Sequence, residues 1–340
     1  MKKIIVVLLV AVSLISCTSQ KQNLETVQAE ISDYYPFLED THLTYAGRGN
    51  EFAGREVYFD FIQDEQAQMR VDTGGTTLAQ VVEITNGELR RLTSQEGFYY
   101  WQELKVEDDN DYEVLLKEPL TKGTTWTLQD GRKRYISGEN VEVTTPQGDY
   151  EALEVTTEGE EYKQIDYYAK DIGLVLSQYK SGEVVIETLL KDIERDRAVE
   201  QQVKFFYPDF AAEEIKYIRR EVEFKTNDSP EEVFTLELRK EAPEGLTAVM
   251  SENTTINNIE LNREDKIVKV DFSKELLTDM NAGHVLESLI VQSLVDTFGR
   301  YYQVDKVYFS LDGKAYESGH MMLEEGDYFE VEEDMIEYQD

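Results

Sequence analysis

The sequence predicts two architectures in one chain: a mainly β N-terminal part, an antiparallel meander forming a curved sheet or open barrel, then a smaller α+β part. Three observations carry this. Between about residues 36 and 190, runs rich in aromatic and β-branched residues are separated by glycine turns such as Thr73-Gly74-Gly75-Thr76, Asn86-Gly87, Asp130-Gly131, Gln147-Gly148 and Ser181-Gly182. No long helical periodicity occurs before about residue 190. Beyond it, residues 284–298 place Leu286, Leu289, Ile290, Leu294 and Val295 on one helical stripe suited to covering a sheet.

In the β part, Val57, Phe59 and Phe61 alternate with Glu56, Tyr58 and Asp60, which predicts one buried and one solvated face. The inward residues are expected to fill the interior, as barrels of this size usually do, with a cavity for an apolar ligand as the alternative. The charged stretch Leu189–Gln202 is expected to join the two parts.

The second part opens with a strand at Lys204–Tyr207 that ends at Pro208-Asp209. A short helix or turn over Ala211–Tyr217 and a strand over Arg220–Phe224 follow. Ser229 is read as the N-cap of a helix with Pro230 at its first position, running to about Lys240. Two strands meet at a turn near Asn262–Asp265, the second sending Val268, Val270 and Phe272 inward. Ser273 is expected to cap a short helix through Leu277, and Lys306–Leu311 to form the last strand.

The N-terminus reads as an export signal. Lys2 and Lys3 precede an apolar core at Ile4–Val12, and Leu14-Ile15-Ser16-Cys17 fits a lipobox. Cys17 is the expected lipid-attachment site, carrying a palmitate-type acyl anchor at the membrane. The apolar run falls well short of the roughly 20 residues a bilayer span requires. Cys17 is also the chain's only cysteine, so the acylated protein has no thiol for catalysis, zinc ligation or a disulfide. The predicted organisation is a signal peptide over 1–16, a polar tether over 17–32, a β-rich domain over 33–195 and an α+β domain over 199–335.

Charge narrows the partners. The chain has 70 Asp plus Glu against 34 Lys plus Arg, a formal net charge of −36. Its dense basic clusters, Arg132-Lys133-Arg134 and Arg219-Arg220, are read as solvated strand or turn faces, so nucleic acid is not an expected partner. The acidic run Glu107–Asp111 lacks the glycine and distal glutamate of an EF-hand and is read as a hairpin tip.

Residues 200–320, taken in order, resemble a GerMN domain, the module of GerM-like sporulation and spore-germination lipoproteins. The resemblance is carried by Phe206-Tyr207-Pro208-Asp209, Arg219-Arg220-Glu221-Val222, Ala242-Pro243-Glu244-Gly245-Leu246 and Val270-Asp271-Phe272-Ser273-Lys274-Glu275-Leu276. The helix around Glu287–Leu294 and the closing run Val304-Asp305-Lys306-Val307-Tyr308-Phe309-Ser310-Leu311-Asp312-Gly313-Lys314 complete it. The resemblance implies an α/β sandwich of ring-building type that acts by contact with itself or with other envelope proteins. Sporulation lipoproteins of this family usually carry two tandem copies, whereas one is found here. The β part, with Gly123-Thr124-Thr125-Trp126, Val143-Thr144-Thr145-Pro146 and Tyr167-Tyr168-Ala169-Lys170, resembles a domain found ahead of GerMN in clostridial lipoproteins.

No catalytic, cofactor or metal constellation stands out. His42, His284 and His320 lie in separate segments; His284 and Glu287 share a helix face but lack a third ligand, and Glu287 is read as solvated. No Gly-x-Ser-x-Gly elbow occurs, and Ser318-Gly319-His320 is read as a turn. Tyr301, Tyr302, Met321 and Met322 are the candidates for protein contact. The expected role is therefore non-enzymatic: a lipoprotein on the extracytoplasmic face of the bacterial cell membrane, making protein contacts in envelope assembly, sporulation or germination. The alternative is a binding lipoprotein whose curved β domain captures a wall-derived or lipidic ligand.

Overall fold

Strand pairing in the N-terminal part follows chain order almost throughout. The computed structural model describes residues 29–106, 111–324, 326–332 and 336–338. A short helix α1 (Ile31–Tyr34) precedes twelve strands: β1 (Thr41–Arg48), β2 (Arg55–Gln63), β3 (Gln66–Asp72), β4 (Thr77–Thr85), β5 (Glu88–Glu96), β6 (Glu113–Lys117), β7 (Thr125–Thr127), β8 (Lys133–Thr144), β9 (Asp149–Glu158), β10 (Lys163–Ala169), β11 (Gly173–Ser181) and β12 (Val184–Arg195). They form one sheet in the order β6-β5-β4-β3-β2-β1-β12-β11-β10-β9-β8-β7, curved and nearly closed. This is the mainly β fold that the turn spacing predicts. At Asn86-Gly87 both residues have positive φ, 51° and 70°, as a two-residue primed hairpin turn between β4 and β5 requires.

The β6 and β7 edges meet through side chains. Trp126 donates its indole N–H to the Val114 carbonyl at 3.1 Å, and Arg134 donates to the same oxygen at 2.7 Å. Arg134 also pairs with Glu113 at 2.6 Å and donates to Thr157 at 2.6 Å. Burial works to raise the Glu113 carboxyl, but Arg91 and Arg134 outweigh it and hold it below its ordinary value. Arg134 is thus buried at a seam and is not part of a solvated basic face.

The N-terminal segment packs into the barrel. Ile31 is 1% exposed, so the polar tether expected over residues 17–32 gives way to core before its predicted end. Residues 17–28, with Cys17 and the signal segment, lie outside the described residues, as do 107–110 of the acidic run.

The C-terminal part opens with a long hairpin, β13 (Val199–Asp209) and β14 (Glu214–Phe224), paired without a register shift. The helix or turn expected over Ala211–Tyr217 is instead a turn at 210–213 followed by strand, because pairing with β13 draws Glu214–Arg219 into the ladder. Helix α2 (Pro230–Leu238) begins as predicted, with the Ser229 hydroxyl accepting from the Glu232 N–H. Next come β15 (Ile256–Asn262), β16 (Ile267–Phe272), α3 (Glu275–Thr278), α4 (His284–Tyr302), β17 (Lys306–Leu311), β18 (Lys314–Ala315), β19 (Phe329–Glu330) and β20 (Ile336–Glu337). Ser273 does not cap α3; its hydroxyl accepts from the Thr255 N–H at 3.1 Å. Leu286, Ile290, Leu294 and Val295 of the stripe on α4 pack with Val268, Val270, Phe272, Val307 and Phe309 in one core, whereas Leu289 is half-buried outside it. β16 and β17 run parallel, with β15 and β18 antiparallel beside them, and β13-β14-β20 form a second small sheet.

That core continues into the barrel's outer face. Tyr58, Phe61, Ala79, Phe98, Tyr100 and Trp101 belong to it, so the face of β2 predicted to be solvated is buried, and Asp60 is 0% exposed. A register shift between Phe59 and Phe61 moves Phe61 to this outer cluster. Trp101 stacks on Phe224 with centroids 4.9 Å apart, and its indole N–H donates to the Asp228 carbonyl at 2.9 Å. Its backbone N–H donates to the Tyr301 hydroxyl at 2.7 Å, which in turn donates to Gln201 at 2.8 Å.

Polar groups complete this interface. Arg70 contacts both Asp60 carboxylate oxygens, at 3.2 and 2.9 Å, and donates to the Phe98 and Tyr100 carbonyls at 2.9 Å each. Gln68 donates to the Gln102 carbonyl at 3.0 Å and accepts from the Leu104 N–H at 2.7 Å. Burial raises the Asp60 carboxyl, and the Arg70 contact offsets part of that rise.

Candidate ligand cavity

The barrel's interior is packed by a continuous apolar core that leaves one gap. A cavity of about 360 Å³ lies against β2 and β3, with an apolar side formed by Leu43, Val57, Phe59, Met69 and Val71. The expectation that inward side chains fill the interior thus holds for most of the barrel, with this cavity as the exception. One physical reason is the polar wall of the cavity, where Gln80, beside Met69, and Arg91, Glu113, Arg132, Arg134, Gln164, Asp166 and Ser177 take positions that larger apolar side chains would need in order to meet across the barrel.

Most charges on that wall are matched. Glu113 pairs with Arg91 and with Arg134, and Arg132 pairs with Asp130 at 2.6 Å. Asp166 accepts from Ser177 at 2.6 Å and from Gln164 at 3.0 Å. Arg55 differs. It makes no ion pair among the described residues, and its Nε is buried without a hydrogen-bond partner. Its guanidinium lies 5.2 Å from the centre of the ring of Tyr45, its cross-strand neighbour.

Tyrosines bound the same space. Tyr45 donates to the Leu174 carbonyl at 2.8 Å, and Tyr35 points its hydroxyl at the Met69 sulfur at 3.4 Å. Burial pushes the Tyr35 hydroxyl up to about 12, with the Arg55 and Arg91 cations offsetting part of the rise. Burial raises Tyr45 and Tyr168 as well, and Arg55 acts against both shifts. The guanidinium is therefore electrostatically present inside the cavity.

The predicted contact residues fall elsewhere. Tyr302 is 1% exposed, and Tyr301 is held between the two parts by Trp101 and Gln201, so neither offers a free surface. Both close the C-terminal end of α4, whose apolar face continues beyond the predicted residue 298. Met321 is half-buried, whereas Met322 is 61% exposed. Glu287 is buried and accepts from the Tyr316 hydroxyl at 2.9 Å, so it is neither solvated nor free to act with His284. The rings of His284 and His320, distant in sequence, lie 5.7 Å apart. Among the described residues no group of three or more His, Asp or Glu side chains is arranged to hold a metal ion. Nor is any helix among them long and apolar enough to cross a membrane.

The cavity residues carry little sequence signal. Arg55 looks like an ordinary strand-end cation paired across from Tyr45, and only the curvature of the sheet brings it near Tyr35 and Tyr168 as well.

Fold and cavity together define a protein in which a hollow β barrel is joined through a shared core to a compact α/β module. That module has a family: residues 204–317 match the model described as "Germane: Sporulation and spore germination", and this stretch is a domain of that kind, as the resemblance implied. No curated protein matches the chain. Among solved structures, the chain is similar to a Bacteroides fragilis protein described as exported and of YmcC-like fold. Identity is 13%, the match covers 48% of this chain and 99% of that one, and the TM-score is 0.31. The tandem GerMN domains of the sporulation protein GerM from Bacillus subtilis are 18% identical over 39% of this chain and 46% of that one, with a TM-score of 0.28. A Clostridium perfringens protein described as a lipoprotein is 15% identical over 39% of this chain and 87% of that one, with a TM-score of 0.24.

Proposed function

We propose that the chain is a membrane-tethered extracytoplasmic lipoprotein, anchored through Cys17, whose barrel captures a small wall-derived or lipidic ligand and whose Germane domain docks on envelope proteins. The observation that carries ligand capture is the 360 Å³ cavity, which is large enough for a small organic molecule. The role proposed is binding rather than turnover: Glu113 is committed to Arg91 and Arg134 as a structural pair, and Asp166 to the neutral donors Ser177 and Gln164. Anchoring rests on the lipobox at Leu14–Cys17.

Native mass spectrometry of the chain purified from its own cells tests the capture. A bound adduct is expected, and a folded Val57→Trp variant, which narrows the cavity, is expected to carry less of it. A bare mass for the unaltered protein, or an adduct undiminished in the variant, overturns the reading.

A second reading, contact alone, draws on exposed apolar side chains of the C-terminal part. Leu236 and Met322, at 64% and 61% exposed, are surface groups of the kind found at interfaces. Crosslinking in intact cells separates the two: a Leu236→Asp/Met322→Asp variant that keeps its adduct but loses its crosslinks assigns docking to this surface.

A further inference from the structure

Building on the cavity as a ligand site, we infer that its ligand is an amphiphile with one anionic head group, bound by Arg55, and an apolar body lying against Leu43, Val57, Phe59 and Met69. The argument begins with a mismatch. A buried guanidinium donor without a partner is costly, and neither the Tyr45 ring nor any carboxylate among the described residues supplies the missing hydrogen bond at Nε. A carboxylate or similar anion in the cavity would supply it, in the forked geometry that guanidinium favours.

Charge sets the limit of one. Four arginines and two carboxylates, Glu113 and Asp166, line the cavity of a chain whose net charge is −36. Glu113 is already shared by Arg91 and Arg134, and Arg132 is held by Asp130, which leaves Arg55 as the cation open to a ligand. Asp166, held by neutral donors, repels a second negative charge. The apolar residues sit on the same side as Arg55, because Arg55, Val57 and Phe59 alternate along one face of β2. A volume of 360 Å³ falls in the range of small-molecule sites and leaves room for a single acyl chain of medium length.

Calorimetric titration of the full chain with dodecanoate, dodecan-1-ol and dodecylamine tests this, since the three share a body and differ in head-group charge. Dodecanoate is expected to bind roughly ten-fold tighter than dodecan-1-ol, with dodecylamine weakest, as one charge-assisted contact predicts. Arg55→Gln should erase the dodecanoate preference and leave dodecan-1-ol binding unchanged. Equal binding of all three probes, or a preference that survives Arg55→Gln, overturns the anionic head while leaving the cavity as a ligand site. Failure of all three to bind overturns the ligand-site reading itself. Should Arg55→Gln not fold, the order of the three probes on the unaltered protein still decides, and dodecylamine binding as tightly as dodecanoate sinks the inference.

Discussion

The two faces of β2 and β3 are both buried, and they are buried in opposite ways. On the outer face, Tyr58, Asp60, Gln68 and Arg70 meet the 98–104 segment and the Germane domain with their charges paired and carbonyls aimed at them. On the inner face, Val57, Phe59, Met69 and Val71 border an open space in which Arg55 stands without a hydrogen-bond partner at Nε. Adjacent residues of one strand thus serve a closed joint and an open pocket. A polar group that is fully satisfied fixes one arrangement, whereas an unsatisfied one marks where something else can enter.

Substitutions on the two faces should therefore differ in cost. Arg70→Ala should have the largest effect, about 3–5 kcal/mol in a urea titration, because it strands the Asp60 charge in the interior. A loss below about 1 kcal/mol would show that the joint is not a structural pivot. Arg134→Ala removes the seam contacts to Val114, Thr157 and Glu113 and should cost about 2–3 kcal/mol. Hydrogen exchange should show faster opening concentrated in β6 and β7. Met69→Ala, the neighbour of Arg70 on the opposite face, should cost only about 2 kcal/mol, since it enlarges a space that already exists. If Met69→Ala equals or exceeds Arg70→Ala, the contrast between the faces collapses.

A conditional effect, absent near pH 4, concerns the backbone at Glu330 and Glu332, which is hydrogen-bonded to α4. Asp296 accepts from the Glu332 N–H at 2.9 Å and from Gln292 at 3.0 Å, yet burial raises its carboxyl to about 6 from the ordinary 3.8. A raised acid favours the folded state in its protonated form. Its contribution is therefore complete below the ordinary value and is lost as pH rises toward about 6. Asp296→Asn keeps the acceptor without the charge, so the variant should be more stable than the unaltered chain at pH 7.5 and lose that advantage near pH 4. Melting temperatures at the two pH values check the sign.

Local features were legible in the sequence. The hairpin turn at Asn86-Gly87, the Ser229-Pro230 helix start, the apolar stripe on α4 and the inward Val268, Val270 and Phe272 all follow from neighbouring residues alone. Features that depend on the opposite surface were not. Asp60 and Arg70 look like solvent-facing residues in an alternating strand until a second domain covers them. Glu214–Arg219 has no strand pattern strong enough to be recognised before β13 templates it. Arg55 becomes distinctive only after twelve strands have curved around it.

The order of the large sheet also bears on how the chain assembles. Eleven strand pairings hold it together, and ten of them join strands consecutive in the chain; only β1 with β12 joins distant segments. Two six-strand meanders can therefore form from nearby contacts, and the step that unites them waits for residues 184–195 to meet residues 41–48. Sequence-distant pairing is slow because the intervening loop must first lose its freedom. Until then β1 is an unpaired edge, so during synthesis the nascent barrel is most open to mispairing along this strand.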